Sequence, residues 1–406
     1  MGFKYLRLAR LRRVPVIPLM KSAFLREAET RKALAEFIVS APRFSMDAKC
    51  REFEQAFAAL QGRKDAVLFN SGGSANLAML QALKNLGRLK DGDAVGFSGL
   101  TWSTNTMPII QLGMEPIAVD CDPKTLNVMS RNLEERTRTV GIKALFITNA
   151  LGFAGDLDRI RDLCKRRSIL LIEDNCEAFG TELPAGRAGN FGACASFSFF
   201  VAHHMSTIEG GMACTDDEEL AEMLRIVRAN GWDRNLTPMQ QKKWRERFGI
   251  RSEFQAKYAF YDLGYNLKPT EITGFIGLHQ LRYVAENFKE RERNHLRLEA
   301  VAKRNAKLVP LQHDHIRSLS SFAFPVLCRD AGTRDEYLAR FADAGIEVRP
   351  MIAGNIQGQP FYLKYAKRIF ELPGTDFIDR CGFYCGNYPE FTEADLQTIE
   401  GCLAGT

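Results

Sequence analysis

No apolar run in this sequence approaches the about 20 residues that a helix needs to cross a bilayer, so a helical membrane span is not expected. Ten cysteines are present, but none forms a CxxC pair, and the closest spacing is Cys381-x-x-x-Cys385. Thiols scattered in this way read as free and buried in a reducing compartment, with no disulfide framework and no metal site. Internal repeats and low-complexity linkers are also missing. So is a concentrated basic stripe. Lys242, Lys243, Arg245 and Arg247 lie close together, but Glu246 interrupts them, and a solvated helix face accounts for the group. Nucleic acid is therefore not an expected partner.

What is present is the composition of an ordinary soluble enzyme, 46% hydrophobic and 26% charged, with a net charge of +6. The positive excess suits a substrate carrying a diphosphate without requiring one. A chain of 406 residues can hold one large and one small domain. The stretch Met1–Arg13 carries Lys4, Arg7, Arg10, Arg12 and Arg13 and lacks the apolar core of a signal peptide. It reads as a solvated extension, and the expected compartment is the cytoplasm.

Helical spacing recurs over 23–39 and 47–60. Short apolar strands follow at 66–69, 94–98, 117–120, 144–147 and 170–173, separated by helical stretches, which indicates a mainly parallel sheet covered on both faces. One long helix is expected over Glu271–Arg293, leading to a smaller α+β unit with strands at 321–327 and 346–348. The expected division is a basic extension at 1–14, a large α/β domain at 15–285 and a small domain at 286–406.

Two stretches carry the chemistry. Ser196–Gly211 reads as a buried strand broken by His203 and His204 and closed by the pair Gly210-Gly211; Leu170–Glu177 is an apolar strand ending in carboxylates. Open α/β sheets place their ligands at such strand ends. A third feature, Asn70-Ser71-Gly72-Gly73-Ser74, is a Gly/Ser turn opening a helix, which offers unpaired N–H groups to an anion.

The E-D-x-x-x run followed by S-F-x-x-x-(K/H) and a glycine pair resembles the DegT/DnrJ/EryC1/StrS family of nucleotide-sugar aminotransferases, over roughly residues 15–405. The resemblance implies an aspartate aminotransferase-like, fold type I large domain and pyridoxal 5'-phosphate or pyridoxamine 5'-phosphate as cofactor. Where that family has the lysine that links the cofactor covalently, this chain has His203. The H-H-x-x-T-x-E-G-G pattern resembles the family's 3-dehydratase subgroup. It implies C3 deoxygenation of a nucleotide-linked 4-keto-6-deoxyhexose, with GDP-4-keto-6-deoxy-D-mannose as first choice, in colitose-type O-antigen deoxysugar biosynthesis. Glutamate is the implied amine donor. Iron–sulfur members of the subgroup carry a cysteine cluster in a segment matching 230–265, which has no cysteine here, so no cluster is expected. The alternatives are a nucleotide-sugar 4-aminotransferase, a CDP-sugar 3-dehydratase without a cluster, and a non-enzymatic nucleotide-sugar-binding relative.

The same resemblance implies roles for single residues. His203 is the acid/base, and Asp174 faces the cofactor ring nitrogen. Trp102 stacks on the ring, and Glu177 lies near the ring hydroxyl or the phosphate. Ser198, with backbone N–H groups of Gly73 and Ser74, holds the phosphate. Asn266 reaches the phosphate of a neighbouring subunit, which implies a homodimer with a shared site. Arg349, Arg234, Asn355 and Tyr388 match segments on the substrate side. His204 is left between orienting His203 and plain packing. One departure is Ile208, which stands where the family commonly has glycine.

Overall fold

The computed structural model describes residues 17–405, so the basic extension and Pro15 lie outside the described residues. The large sheet has seven strands: β1 (Asp65–Phe69), β2 (Ala94–Ser98), β3 (Glu115–Val119), β4 (Ala144–Thr148), β5 (Leu170–Asp174), and, after the two-residue pair β6 (Glu182–Leu183) and β7 (Gly186–Arg187), β8 (Cys194–Ser198) and β9 (Gly211–Thr215). Their order is β1-β9-β8-β5-β4-β2-β3. The run from β8 to β3 is parallel; β9 is antiparallel to both of its neighbours.

Nearly every sheet residue is buried, as expected when helices cover both faces. Alternation then sorts the side chains. Ile117, Val119, Leu145 and Ile147 enter one core layer, with Leu133 and Ile160 of the covering helices. Ala118, Ala144 and Phe146 enter the opposite layer, with Met79 and Leu83 of the helix Gly72–Asn85. A separate apolar group holds the second unit, whose three antiparallel strands β10 (Ala323–Leu327), β11 (Val348–Pro350) and β12 (Gly382–Gly386) lie in the order β10-β12-β11. Ile17 bridges Ile346 at the edge of this unit, so the start of the described chain packs against the small domain.

Two elements differ from the sequence expectation. The long helix is two helices, Glu271–Leu281 and Val284–Ala302, broken at Arg282-Tyr283. The first lies against the helix Ala48–Gln61, whose opening N–H groups at Asp47, Lys49 and Cys50 donate to the Glu271 carboxylate at 2.6, 2.9 and 3.2 Å. The second carries Leu298 into the small-domain core. One straight helix could not serve both contacts. The boundary expected at 286 falls in the first turn of this second helix. Likewise, β8 ends at Ser198, because its partner β9 begins opposite it at Gly211. Residues 199–210 form a loop whose base is closed by Phe199 N–H to Gly210 O at 2.9 Å. Within it Ile208 takes φ +72°, the left-handed region that favours glycine, which fits the departure seen in the sequence.

One buried ion pair ties the sheet edge to two helices. Arg228 donates to Glu54 Oε1 at 2.5 Å and to Leu68 O at 2.7 Å, while Leu68 N–H donates to the same carboxylate oxygen at 2.8 Å. Among the described residues, no helix is long and apolar enough to cross a membrane. Removing one partner of a buried pair strands the other charge, so Arg228→Met is expected to lower stability by about 3–5 kcal/mol. The double variant Arg228→Met/Glu54→Leu should recover most of that loss in urea unfolding; a double variant no better than the single would count against a charge effect.

Candidate active site

The carboxyl ends of β1, β2, β4, β5 and β8 open on one edge of the sheet, around a cavity of about 400 Å³. Chain order reverses between β2 and β4, the place where open α/β sheets form a crevice. Thr101 Oγ1 and Thr148 Oγ1 meet across it at 2.6 Å.

Strand alternation separates the two acids of the Glu173-Asp174 pair. Glu173 turns away and accepts three backbone N–H bonds, from Gly189, Phe191 and Gly192, at 2.7–2.8 Å. It anchors the 189–192 turn. Asp174 faces the cavity. Its Oδ2 accepts from Asn76 Nδ2 at 2.8 Å and Asn105 Nδ2 at 2.7 Å, and its Oδ1 from the Cys176 N–H at 2.8 Å. The carboxylate is thus fixed in direction and still presented to the cavity.

Opposite β5, the helix Gly72–Asn85 begins at the cavity wall. Ser71 is its N-cap: its Oγ accepts from Ser74 N–H at 3.1 Å. That corrects the expectation for Ser74, whose N–H is spent inside the cap. Gly72 and Gly73 keep N–H groups without intrahelical partners beside the Ser198 hydroxyl. A Cβ on Gly72 would stand 2.7 Å from Ser198 Cβ, and one on Gly211 would stand 2.3 Å from the Ser71 carbonyl carbon. The glycine pair that closes the loop therefore seats this turn. Together these groups form a small cradle suited to a phosphate. Trp102, just ahead of the helix Ser103–Gln111, is 56% exposed and lines the cavity mouth.

The loop 199–210 brings His203 to the opposite wall, while Phe197 and Phe199 point back into an aromatic core with Phe53, Phe57 and Phe179. His203 Nδ1 is buried without a partner, leaving Nε2 as the ring nitrogen that meets the cavity. Burial, reinforced by the charge of Arg291, pushes the imidazole down to about 4, so it is neutral near pH 7. His204 is buried behind it, with Nε2 at 2.9 Å from Ser320 O and its own carbonyl accepting from Asn287 Nδ2 at 2.7 Å. That geometry settles the open choice: His204 anchors the loop. Glu177 also lines the cavity and accepts the Leu151 N–H at 2.9 Å. Burial pushes its carboxyl up to about 7, the Leu151 bond opposing and nearby Asp174 adding.

Asp174, His203, Trp102, Ser198, Gly73 and Glu177 thus meet in one cavity. The remaining candidates stand elsewhere. Tyr388 is 3% exposed and packs on Phe391 at 4.1 Å in the small-domain core, behind the histidine pair. Its ring is engaged in packing and lies outside the lining of this cavity. Asn355 spends its side chain on Asp376 at 2.7 Å and on the Gln357 N–H at 3.1 Å. Arg234 lies exposed over Trp232 at 3.8 Å, and Arg349 is exposed and paired with Glu347. Asn266 is exposed and lies outside the cavity of its own chain. The sequence reading missed Asn76, Asn105, Phe322 and Tyr384. Only Asn105 left a local sign, three residues after Trp102 in the first turn of the same helix.

The cavity fits pyridoxal phosphate on its own chemistry: a fixed carboxylate, a helix-start cradle with a hydroxyl, and an indole at the mouth. Ionised Glu177 would add negative charge beside an anionic ligand. Affinity for pyridoxal 5'-phosphate is therefore expected to fall as pH rises through about 7. Fluorescence titration of Glu177→Gln should lack that fall; the same fall in the variant would assign it to the ligand phosphate.

The family model for the DegT/DnrJ/EryC1/StrS aminotransferase family matches residues 26–404. The chain is 34% identical to a GDP-4-keto-6-deoxy-D-mannose 3-dehydratase of Escherichia coli O55:H7 over 358 residues, covering 86% of this chain and 90% of that protein. A solved structure of the E. coli GDP-4-keto-6-deoxy-D-mannose-3-dehydratase with bound hydrated PLP superposes with a TM-score of 0.88 at 31% identity, over 96% of this chain and all of that one. A structure of GDP-4-keto-6-deoxymannose-3-dehydratase with a trapped PLP-glutamate geminal diamine gives 0.88 and 31%, over 95% of this chain and all of that one. With a family match across nearly its whole length and the same fold as these dehydratases, this chain belongs to the DegT/DnrJ/EryC1/StrS aminotransferase family.

Proposed function

We propose that this protein is a pyridoxal/pyridoxamine phosphate-dependent 3-dehydratase of a nucleotide-linked 4-keto-6-deoxyhexose, with GDP-4-keto-6-deoxy-D-mannose as substrate. One observation carries the reading: among the described residues lining the cavity there is no lysine, and His203, which the sequence pattern matches to the family's lysine, stands on its wall. Amino transfer in this family uses that lysine. A wall histidine with no lysine beside it favours elimination, with the cofactor held by non-covalent contacts alone. The similarity to dehydratases over most of the chain supports the same reading.

When bound, the cofactor supplies an amine for the sugar C4 ketone and an electron sink that lets the C3 hydroxyl leave. The chain's own residues do the rest. Asp174, held by Asn76, Asn105 and the Cys176 N–H, is set to hold the ring nitrogen protonated. The Gly72-Gly73 turn and Ser198 hold the phosphate, and Trp102 covers the ring. His203 Nε2, neutral at working pH, accepts a proton and can return it. Glutamate is the amine donor under this reading, in line with the glutamate adduct seen in the related dehydratase.

The reading includes a homodimer. Asn266 is exposed and outside its own cavity, and Phe254, Tyr258, Phe260 and Leu263 expose apolar surface on the preceding segment. A second copy covering that surface brings Asn266 to the neighbouring cradle.

His203→Asn is expected to lower dehydration by about 10²–10⁴-fold while leaving cofactor absorbance intact, since no holding group is removed. Retained turnover would end the proton-shuttle role. Mixing His203→Asn with Asn266→Asp protein, each inactive alone, should restore activity through hybrid dimers that contain one intact site. No restoration, with dimer exchange confirmed by sedimentation, would place Asn266 outside the shared site.

A further inference from the structure

The chain has six histidines, and two of them, His295 and His313, come together away from the cofactor cavity. His295 and Glu299 are four residues apart on the helix Val284–Ala302 and therefore share a face. His313 comes from the segment that crosses above that face. One ligand atom of each of His295, Glu299 and His313 lies within 4.8 Å of the others, and His295 and Glu299 are buried.

The hydrogen bonds around the group show which lone pair is free for a cation and which bonds a cation would replace. Ser321 Oγ donates to Ala323 O at 2.8 Å, so toward His295 Nδ1, at 3.0 Å, it can only accept. His295 therefore carries its proton on Nδ1 and keeps a bare lone pair on Nε2. A ring nitrogen fixed through a hydrogen bond of its partner nitrogen is how proteins orient a metal-binding histidine. Glu299 Oε1 accepts from His313 Nε2 at 2.8 Å, and Oε2 is held by Lys303 at 3.0 Å, so a cation takes this place by releasing the His313 Nε2 proton to solvent and displacing Lys303. Lys303 is half-exposed and can swing into solvent. Phe153 packs edge-on against both imidazoles, with centroids at 5.4 and 5.9 Å. A neighbouring cavity of about 30 Å³, lined by His295, Glu299 and Lys303, has room for one water.

We propose that His295, Glu299 and His313 form a binding site for a divalent transition-metal cation of the zinc class, with a water as fourth ligand. Two imidazoles and one carboxylate are a donor set that zinc takes in four-coordinate sites. The site is separate from the cofactor cavity, and its role is mechanical. The segment leaving His313 runs to Ser320, whose carbonyl meets His204 Nε2, and to Phe322, whose ring lies 5.2 Å from His203. A metal joining His313 to the helix braces the strap that positions the histidine loop.

The test uses full-length holoenzyme, stripped with a chelator, loaded with Zn²⁺ or Co²⁺ and desalted. One equivalent of metal retained per chain, with the visible bands of tetrahedral Co²⁺ and a higher Tm, is the expected result. His313→Gln and Glu299→Gln should each weaken retention by at least the about 10–100-fold that loss of an orienting partner costs. His203→Asn should retain the metal, which locates it outside the cofactor cavity. No retention by the unaltered protein overturns the proposal, and so does unchanged retention in both ligand variants. Circular dichroism checks that each variant is folded; if His313→Gln does not fold, Glu299→Gln decides alone.

Discussion

The arrangement depends on how the Asp174 carboxylate is held. It ends β5, but the side chains that fix it come from the helices that follow β1 and β2. A carboxylate taken out of water costs several kcal/mol. Charge-assisted hydrogen bonds from two amides and a backbone N–H, each worth about 1.5–3 kcal/mol, offset that cost. Both of those crossovers must therefore be in place before the carboxylate can face the cavity as a fixed charge. The same folding event brings up the Gly72-Gly73 turn and Trp102, because they sit at the starts of those same two helices.

Arg291 is the counterpart behind the histidine loop, outside the cavity lining. It is buried, and it donates to Phe322 O at 2.8 Å, to Asn387 O, and to Asn287 Oδ1 at 2.7 Å, with no direct carboxylate partner among these bonds. Its charge is thus felt by its neighbours. It helps to keep His203 neutral. Asn287 connects Arg291 to the His204 carbonyl, so the cation also secures the loop that carries His203.

Strand periodicity accounts for much of what could be read in the chain. Asp174 was legible because it ends an apolar strand, and sheets of this class gather strand ends; Ser198 was reached only through the family resemblance, since the strand was read as running on to the histidines. The turn at 71–74 was legible from its glycines, although only the structure shows that Ser71 consumes the Ser74 N–H. Asn76 and Asn105 were not legible: each is an ordinary polar residue in a helix until Asp174, 98 and 69 residues away, is placed beside it. The surroundings of Tyr388 and Asn355 were not legible for the same reason. Their polar groups match substrate-side segments in sequence, but packing on Phe391 and bonding to Asp376 engage them within the chain.

By itself, then, the sequence determined the alternation of strands and helices, the glycine turn, and histidine in place of lysine at position 203. Each of these is set by local stereochemistry or by the identity of a single side chain. Tertiary structure alone decided which donors hold Asp174, that His203 is half-buried within the field of Arg291 and so stays neutral, and that His295, Glu299 and His313 converge. Those outcomes depend on burial and on contacts between residues far apart in the chain, and both exist only once the sheet order and the broken 271–302 helix pair are formed.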